Sequence, residues 1–199
     1  MTHQSATTDA ADIPPHPRSL LRARLVLAAL SVCGLAALAW ASFVQPLPRL
    51  IYNPSDSVAV GWYRIDLLDH RVDSLPYPLF VDSIVLVPPP ARAAALAAQR
   101  GYLPAHIPLL KRVGAIAPQH ICIVADQVRI DGVSVATALP ADRVGRPLSS
   151  WQQCRRLEPG ELFLLSMTNP ASFDSRYFGP VRASAVIGVA RPVWLEARP

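Results

Sequence analysis

Leu109-Leu110-Lys111-Arg112-Val113-Gly114-Ala115-Ile116 is followed closely by Ile121 to Val124, Val128 to Ile130 and Val133 to Val135. Each piece is short and either runs apolar or alternates, the pattern of strands that bury one or both faces. Asp131-Gly132 sits between the last two and is a tight hairpin signal, because both residues tolerate positive φ. Outward from this block, Ser83 to Val87 reads as a buried strand stopped by Pro88-Pro89-Pro90. Glu161 to Ser166 and Ala185 to Val193 read as two more strands, and Tyr52 to Ser57 as a turn entering a strand over Val58 to Ile65. Residues 91–100, ARAAALAAQR, are the one convincing helix here, since alanine favours it and Gly101 ends it. The 21 prolines scattered along the chain argue against long helices. The expectation is a mainly β domain with one short helix.

Residues 25–44, LVLAALSVCGLAALAWASFV, are an uncharged run long enough to span a ~30 Å hydrocarbon core as a helix. Arg18, Arg22 and Arg24 precede it and no comparable cluster follows, so the positive-inside rule puts the N-terminus in the cytoplasm. The predicted organisation is a cytoplasmic tail over 1–24, a transmembrane anchor over 25–44 and a periplasmic domain over 45–199. A cleavable signal peptide is the rival reading, because Ala37-Leu38-Ala39 and Ala39-Trp40-Ala41 fit a small-x-small site, but the apolar run exceeds a usual signal-peptide core. Either way the domain lies in an oxidising compartment. Cys122 and Cys154 are then the only pair in it, and a disulfide between them would restrain the unfolded chain by about 3 kcal/mol. Zinc is the alternative, with His120 two residues before Cys122, but the absence of a CxxC pair makes a weak metal site.

A net charge of +5 and a pI near 9.6 suggest a polyanion, yet no arginine cluster is interleaved with aromatics as in a nucleic-acid groove. A weak attraction to lipid head groups fits as well. The basic residues hold a sharper clue. Among the 19 lysines and arginines there is a single lysine, Lys111, set in an apolar run. Arginine keeps its proton at any biological pH, whereas a desolvated lysine can lose it. A position that takes an amine where all others took guanidinium suggests a base.

Three segments then point to acyl transfer. In Pro54-Ser55-Asp56-Ser57, serines two apart would face one site if extended, supplying a nucleophile and a donor for a developing oxyanion. Lys111 would serve as base only if burial lowered its pKa by about 3 units, a differential desolvation of about 4 kcal/mol. Leu109, Leu110 and Val113 are the apolar material for that pocket. In Asn169 to Gly179, Ser172, Asp174 and Arg176 would alternate onto one face if extended, with Ser172 bonding the amine and an Asp–Arg pair bracing the loop.

Together these segments resemble the boxes of the type I signal peptidases. Pro54-Ser55-Asp56-Ser57-Val58 is similar to their nucleophile box, Leu110 to Gly114 to their lysine box, and Asn169 to Gly179 to their late N-x-x-S-x-D-S-R-Y box. The conjugative-transfer, TraF-type branch is closer. Its patterns resemble Gly61-Trp62-Tyr63-Arg64, Arg100-Gly101-Tyr102-Leu103-Pro104, and Gly145-Arg146-Pro147-Leu148 with Trp151 and Cys154-Arg155. The match covers Asn53 to Val189. One departure is Ser57-Val58-Ala59-Val60-Gly61, which lacks the proline the branch usually has two residues after its serine.

The resemblance implies a signal-peptidase-like fold, an antiparallel, barrel-like β-sheet, and a serine endopeptidase needing no cofactor or metal. Ser57 would be the nucleophile and Lys111 the general base. Ser55 would assist the oxyanion, Ser172 orient the lysine, and Asp174 with Arg176 support the loop. The implied partners are the membrane and a precursor such as a pilin-like subunit of a conjugation or type IV secretion apparatus, with no nucleic acid. Rival readings are a general signal peptidase, a non-catalytic membrane-anchored assembly protein, and a Ser-His-Asp hydrolase using His70, His106 or His120. No G-x-S-x-G elbow supports the last.

Overall fold

Residues 17–43, 49–68 and 79–197 are described in the computed structural model, and the chain divides into two units, Met1–Leu47 and Pro48–Pro199. Residues 1–16 and His70, on which parts of the sequence reading fall, lie outside the described residues. The first unit holds α1 (Pro17–Phe43). A proline at the first helical position loses nothing there, because its missing N–H would have had no intrahelical partner. The helix therefore starts within the segment expected as tail. Its stretch Leu21–Trp40 is long and apolar enough to cross a membrane.

The second unit is built from eleven strands among the described residues, paired antiparallel throughout. In chain order these are β1 (Leu50–Asn53), β2 (Gly61–Leu67), β3 (Ile84–Val87), then helix α2 (Ala91–Gln99), β4 (Leu109–Ile116), β5 (His120–Val124), β6 (Gln127–Ile130) and β7 (Val133–Thr137). They continue with β8 (Cys154–Arg156), β9 (Glu161–Leu164), the single-turn helix α3 (Ser175–Phe178), β10 (Val181–Arg182) and β11 (Gly188–Leu195). A seven-stranded sheet has the order β1-β2-β11-β3-β4-β9-β10, and a four-stranded sheet the order β7-β6-β5-β8. The mainly β expectation holds. The Asp131-Gly132 hairpin joins β6 to β7 with both residues at positive φ, and Ala125-Asp126 makes a second turn of the same kind between β5 and β6.

β9 explains how the two sheets meet, because it lies between two apolar clusters. All four of its residues are buried. Leu162 and Leu164 enter one apolar cluster with Val85, Val87, Leu109 and Val113, whereas Phe163 and Leu165 enter another with Ile121, Ile123 and Val128. A strand covered on both faces favours apolar side chains on both, which is why Leu162 to Leu165 run apolar rather than alternating, and Glu161 at the start of β9 is paired with Arg155. β4 crosses the same boundary, giving Leu109 and Val113 to the first cluster and Ala115 to the second. Its pairing with β9 is irregular between Val113 and Ala115. Gly114 occupies that bulge, and a Cβ there would lie 2.9 Å from Cβ of Leu165.

Local readings differ at three places. Leu50–Asn53 is a strand, paired with β2 from Leu50↔Arg64 to Asn53↔Gly61, so Tyr52 and Asn53 lie in a strand where a turn is expected. β2 begins at Gly61 rather than Val58, because residues 54–60 fold into the loop that joins the two strands. Asp174 to Phe178 is not extended: Asp174 caps α3, its side chain accepting from the Arg176 backbone N–H. Cys122 and Cys154 are Cα partners across β5 and β8, and a disulfide joins them. Neither thiolate is then open to zinc, and no group of three or more metal-ligating side chains occurs among the described residues.

Candidate active site

Lys111 enters the site from the middle of the seven-stranded sheet. On β4 it shares a face with Leu109 and Val113 by strand alternation, opposite Val85 of β3. It is 4 % exposed. Its Nζ donates to Ser57 Oγ at 2.6 Å and to Ser172 Oγ at 2.5 Å, and the two hydroxyl oxygens lie 3.2 Å apart. The three side chains therefore form a closed triangle from three distant segments. Burial lowers the Lys111 pKa from 10.5 to about 8, the Asp174 carboxylate opposing the shift and the Arg176 guanidinium favouring it. Roughly a tenth of such amines are neutral at pH 7 and half at pH 8. A neutral amine at this distance can accept the serine proton, and arginine in its place could not.

Ser57 sits at the rim, half-buried, on a loop organised by one buried amide. Asn53, at the end of β1, donates through Nδ2 to the carbonyls of Ser55, Val58 and Ala59 at 2.8, 3.2 and 3.1 Å. Its Oδ1 accepts from the Ser55 N–H and from Ser55 Oγ, the latter at 2.7 Å. Tyr63 of β2 donates its hydroxyl to the Ala59 carbonyl, and Thr168 Oγ1 donates to the Asp56 carbonyl from across the site. Ser55 is thus in a turn and bonded to Asn53, while Ser57 alone of the two reaches Lys111. Both serines line one cavity of about 820 Å³.

Ser172 is held by charge. Arg176 is 1 % exposed and Asp174 fully buried. The guanidinium meets the carboxylate fork to fork, Nε to Oδ1 at 2.8 Å and Nη2 to Oδ2 at 2.9 Å. Its remaining N–H groups donate to the carbonyls of Thr137, Asn169, Pro170 and Ser172. Asp174 Oδ2 also accepts from the Ser166 N–H, and Ser175 Oγ accepts from the Leu164 N–H. No buried side-chain nitrogen or oxygen lacks a partner among the described residues. Gly179 closes this segment at φ 78°, where a Cβ would lie 2.6 Å from the Trp151 ring nitrogen.

Serine, lysine and a second serine at these positions are the boxes the sequence displays, and the chain as a whole matches one family. Residues 22–195 match the model of the signal peptidases, peptidase S26. The chain belongs to that family. A conjugal transfer protein TraF of Agrobacterium fabrum is 37 % identical over 150 residues, covering 68 % of this chain and 84 % of that protein. A plasmid transfer protein TraF of Escherichia coli is 31 % identical over 177 residues, covering 84 % and 94 %. Among solved structures, a signal peptidase I of Enterococcus faecalis is 22 % identical with a TM-score of 0.35, over 58 % of this chain and 98 % of that one. The superposition is too loose to carry an argument.

Sequence reading missed the supports. Asn53 read as the start of a turn, and nothing marked it as the hub of the Ser57 loop; its place before Pro54 was the only signal. Thr168 carried none, and Tyr63 stood out only within Gly61-Trp62-Tyr63-Arg64, with no role attached. Among the described residues, neither His106 nor His120, the histidines weighed as rival bases, bonds Ser57, whereas Lys111 does.

Proposed function

We propose that this protein is a membrane-anchored serine endopeptidase that processes exported precursors, with Ser57 as nucleophile and Lys111 as general base. The observation that carries the reading is the 2.6 Å contact between a buried amine of lowered pKa and a serine hydroxyl facing a large cavity. Neutral Lys111 takes the Ser57 proton as Oγ attacks the scissile carbonyl. The ammonium then returns that proton to the departing amine, leaving an acyl-enzyme. Water repeats the sequence, giving its proton to Lys111 and attacking the ester to release the acid and Ser57.

Ser172 accepts one N–H of Lys111, which turns the amine lone pair toward Ser57, and Asp174 with Arg176 fixes the loop that carries it. Ser55 supplies an oxyanion donor once its hydroxyl turns from Asn53. The anchor is residues 25–44, with the domain from residue 45 in the periplasm of a bacterial inner membrane. The substrate is a pilin-like subunit of a conjugation or type IV secretion apparatus, a reading supported by the transfer proteins to which the chain is similar.

The test is cleavage of a co-expressed pilin precursor. Ser57→Ala and Lys111→Arg each abolish it while the protein stays folded and membrane-bound. With the wild type, kcat/KM rises with pH and levels above about 8, because only the neutral amine is competent. Full processing by the Lys111→Arg form would sink the mechanism.

A further inference from the structure

The cavity of about 820 Å³ beside Ser57 adjoins a second of about 450 Å³. Among the described residues, four line both: Asp56, Ser57, Arg143 and Asn169. A peptide crossing Ser57 from one cavity to the other passes these four. Arg143 is exposed and makes no hydrogen bond or ion pair with any described residue.

The turn that carries it is fixed far more firmly than a surface loop needs. Asp142 accepts at Oδ1 from the N–H groups of Val144 and Arg146, and at Oδ2 from the Tyr102 hydroxyl and from Arg146 Nε. Burial opposes its ionisation, but these bonds outweigh burial and hold the carboxyl well below the usual carboxylate range. The Asp142 N–H bonds the Arg146 carbonyl across the turn, and Arg100 Nη2 reaches the Pro147 carbonyl from the end of α2. Tyr102 in turn packs on Phe173 with ring centroids 5.5 Å apart, and Phe173 is the neighbour of Ser172. Two arginines, Arg100 and Arg146, surround the one carboxylate of Asp142, so Arg143 is left as surplus positive charge on a turn referenced to the candidate active site.

We propose that Arg143 is a substrate-recognition residue that pairs with a carboxylate of the bound peptide next to the scissile bond, and that Asp142 is the positioning residue that aims it. The inference rests on the peptidase reading. An acidic side chain is the expected source of the carboxylate, and a free chain terminus presents the same chemistry. A guanidinium suits either, since its planar fork can donate to both carboxylate oxygens at once. Asp56, the acid that shares the junction, would select a basic residue instead.

The experiment uses full-length protein in detergent and quenched peptides built on an Ala-x-Ala core. Each flanking position is in turn Asp, Asn or Lys, with amidated and free-acid C-termini. At one position the wild type favours Asp over Asn by about tenfold in kcat/KM. Arg143→Ala brings that ratio to about one, Arg143→Glu turns the preference toward Lys, and Asp142→Asn shrinks the ratio. A merely structural role would not invert a charge preference. A preference confined to free-acid peptides supports the pairing and assigns it to a chain terminus. Cleavage without preference, a preference untouched by both Arg143 variants, or a wild-type preference for Lys overturns the inference and leaves the peptidase standing. No cleavage of any peptide by the wild type overturns both.

Discussion

Two loops bring a serine to Lys111, and they are held in opposite ways. The Ser172 loop hangs on a buried ion pair whose guanidinium donates to four carbonyls besides its carboxylate. The Ser57 loop is held by neutral groups, chiefly the buried Asn53 amide with help from the Tyr63 and Thr168 hydroxyls, and exposed residues flank Asn53 on either side. In the proposed reaction the two serines have different tasks. Ser172 only has to keep the amine pointed, so rigidity costs it nothing. Ser57 Oγ must leave the lysine, reach a carbonyl and carry an acyl group, so its loop needs a defined rest position and room to adjust. The difference teaches that charge is used where the site must not move, and neutral hydrogen bonding where it must.

The strongest way to break this comparison is Arg176→Ala. It strands a buried carboxylate and four carbonyls, and removing one partner of a buried pair costs about 3–5 kcal/mol. A denaturant titration should show a loss of that size, with cleavage falling alongside it. A loss below about 1 kcal/mol would mean that the ion pair is not what holds the Ser172 loop.

Lys111→Met changes stability in the other direction. The folded pKa of about 8 lies below the ordinary 10.5, so native Lys111 carries a cost of about 3 kcal/mol wherever both states are protonated, below about pH 8. Between pH 8 and 10.5 the native amine is neutral while the unfolded one is still charged, and stability rises until the cost is gone. Methionine fills similar volume without charge, and Ser57 and Ser172 are near enough to bond each other. The variant should be inactive yet up to about 3 kcal/mol more stable at pH 7, with the gain vanishing toward pH 10.5. Thermal melts across that range measure it. A pH-independent difference would show that desolvation of the amine is not the cause.

The strands around Lys111 were legible because apolar runs and the Asp131-Gly132 hairpin are local signals. Lys111, Ser57 and Ser172 could be singled out because one lysine among arginines, and serines within recognisable boxes, are visible without coordinates. The rest was not, for a physical reason. Asn53 acts by folding its amide back over a loop whose path the sequence does not state. Asp174 and Arg176 alternate if their segment is extended, but a helix cap brings them together through backbone geometry that alternation cannot describe. Gly114 and Gly179 matter through what a Cβ would strike, namely Leu165 and the Trp151 ring, which are distant in sequence.

Asn53→Ala tests the neutral hub. It leaves three carbonyls, one N–H and the Ser55 hydroxyl to find water, and their position near the surface lets most of them do so. The expected stability loss is about 2 kcal/mol, smaller than at Arg176. The proportion between effects should reverse in activity: kcat falls more than the stability change explains, because the Ser57 rest position is lost. Equal damage to stability and kcat, as in a simple loss of folded protein, would remove the distinction between the two loops.

Ser55→Ala is the finest probe, because it separates two roles for one hydroxyl. At rest Ser55 Oγ donates to Asn53 Oδ1, which still accepts the Ser55 N–H when the hydroxyl is gone. Stability should therefore barely change. As an oxyanion donor, Ser55 would have to release Asn53 as the tetrahedral intermediate forms, so its net contribution is below that of a donor already aimed at the oxyanion. The expected result is a drop of about tenfold in kcat, near 1.4 kcal/mol, with KM little altered. Pre-steady-state acylation measures it directly. An unchanged acylation rate would confine Ser55 to capping Asn53, and the oxyanion would then depend on backbone N–H groups alone.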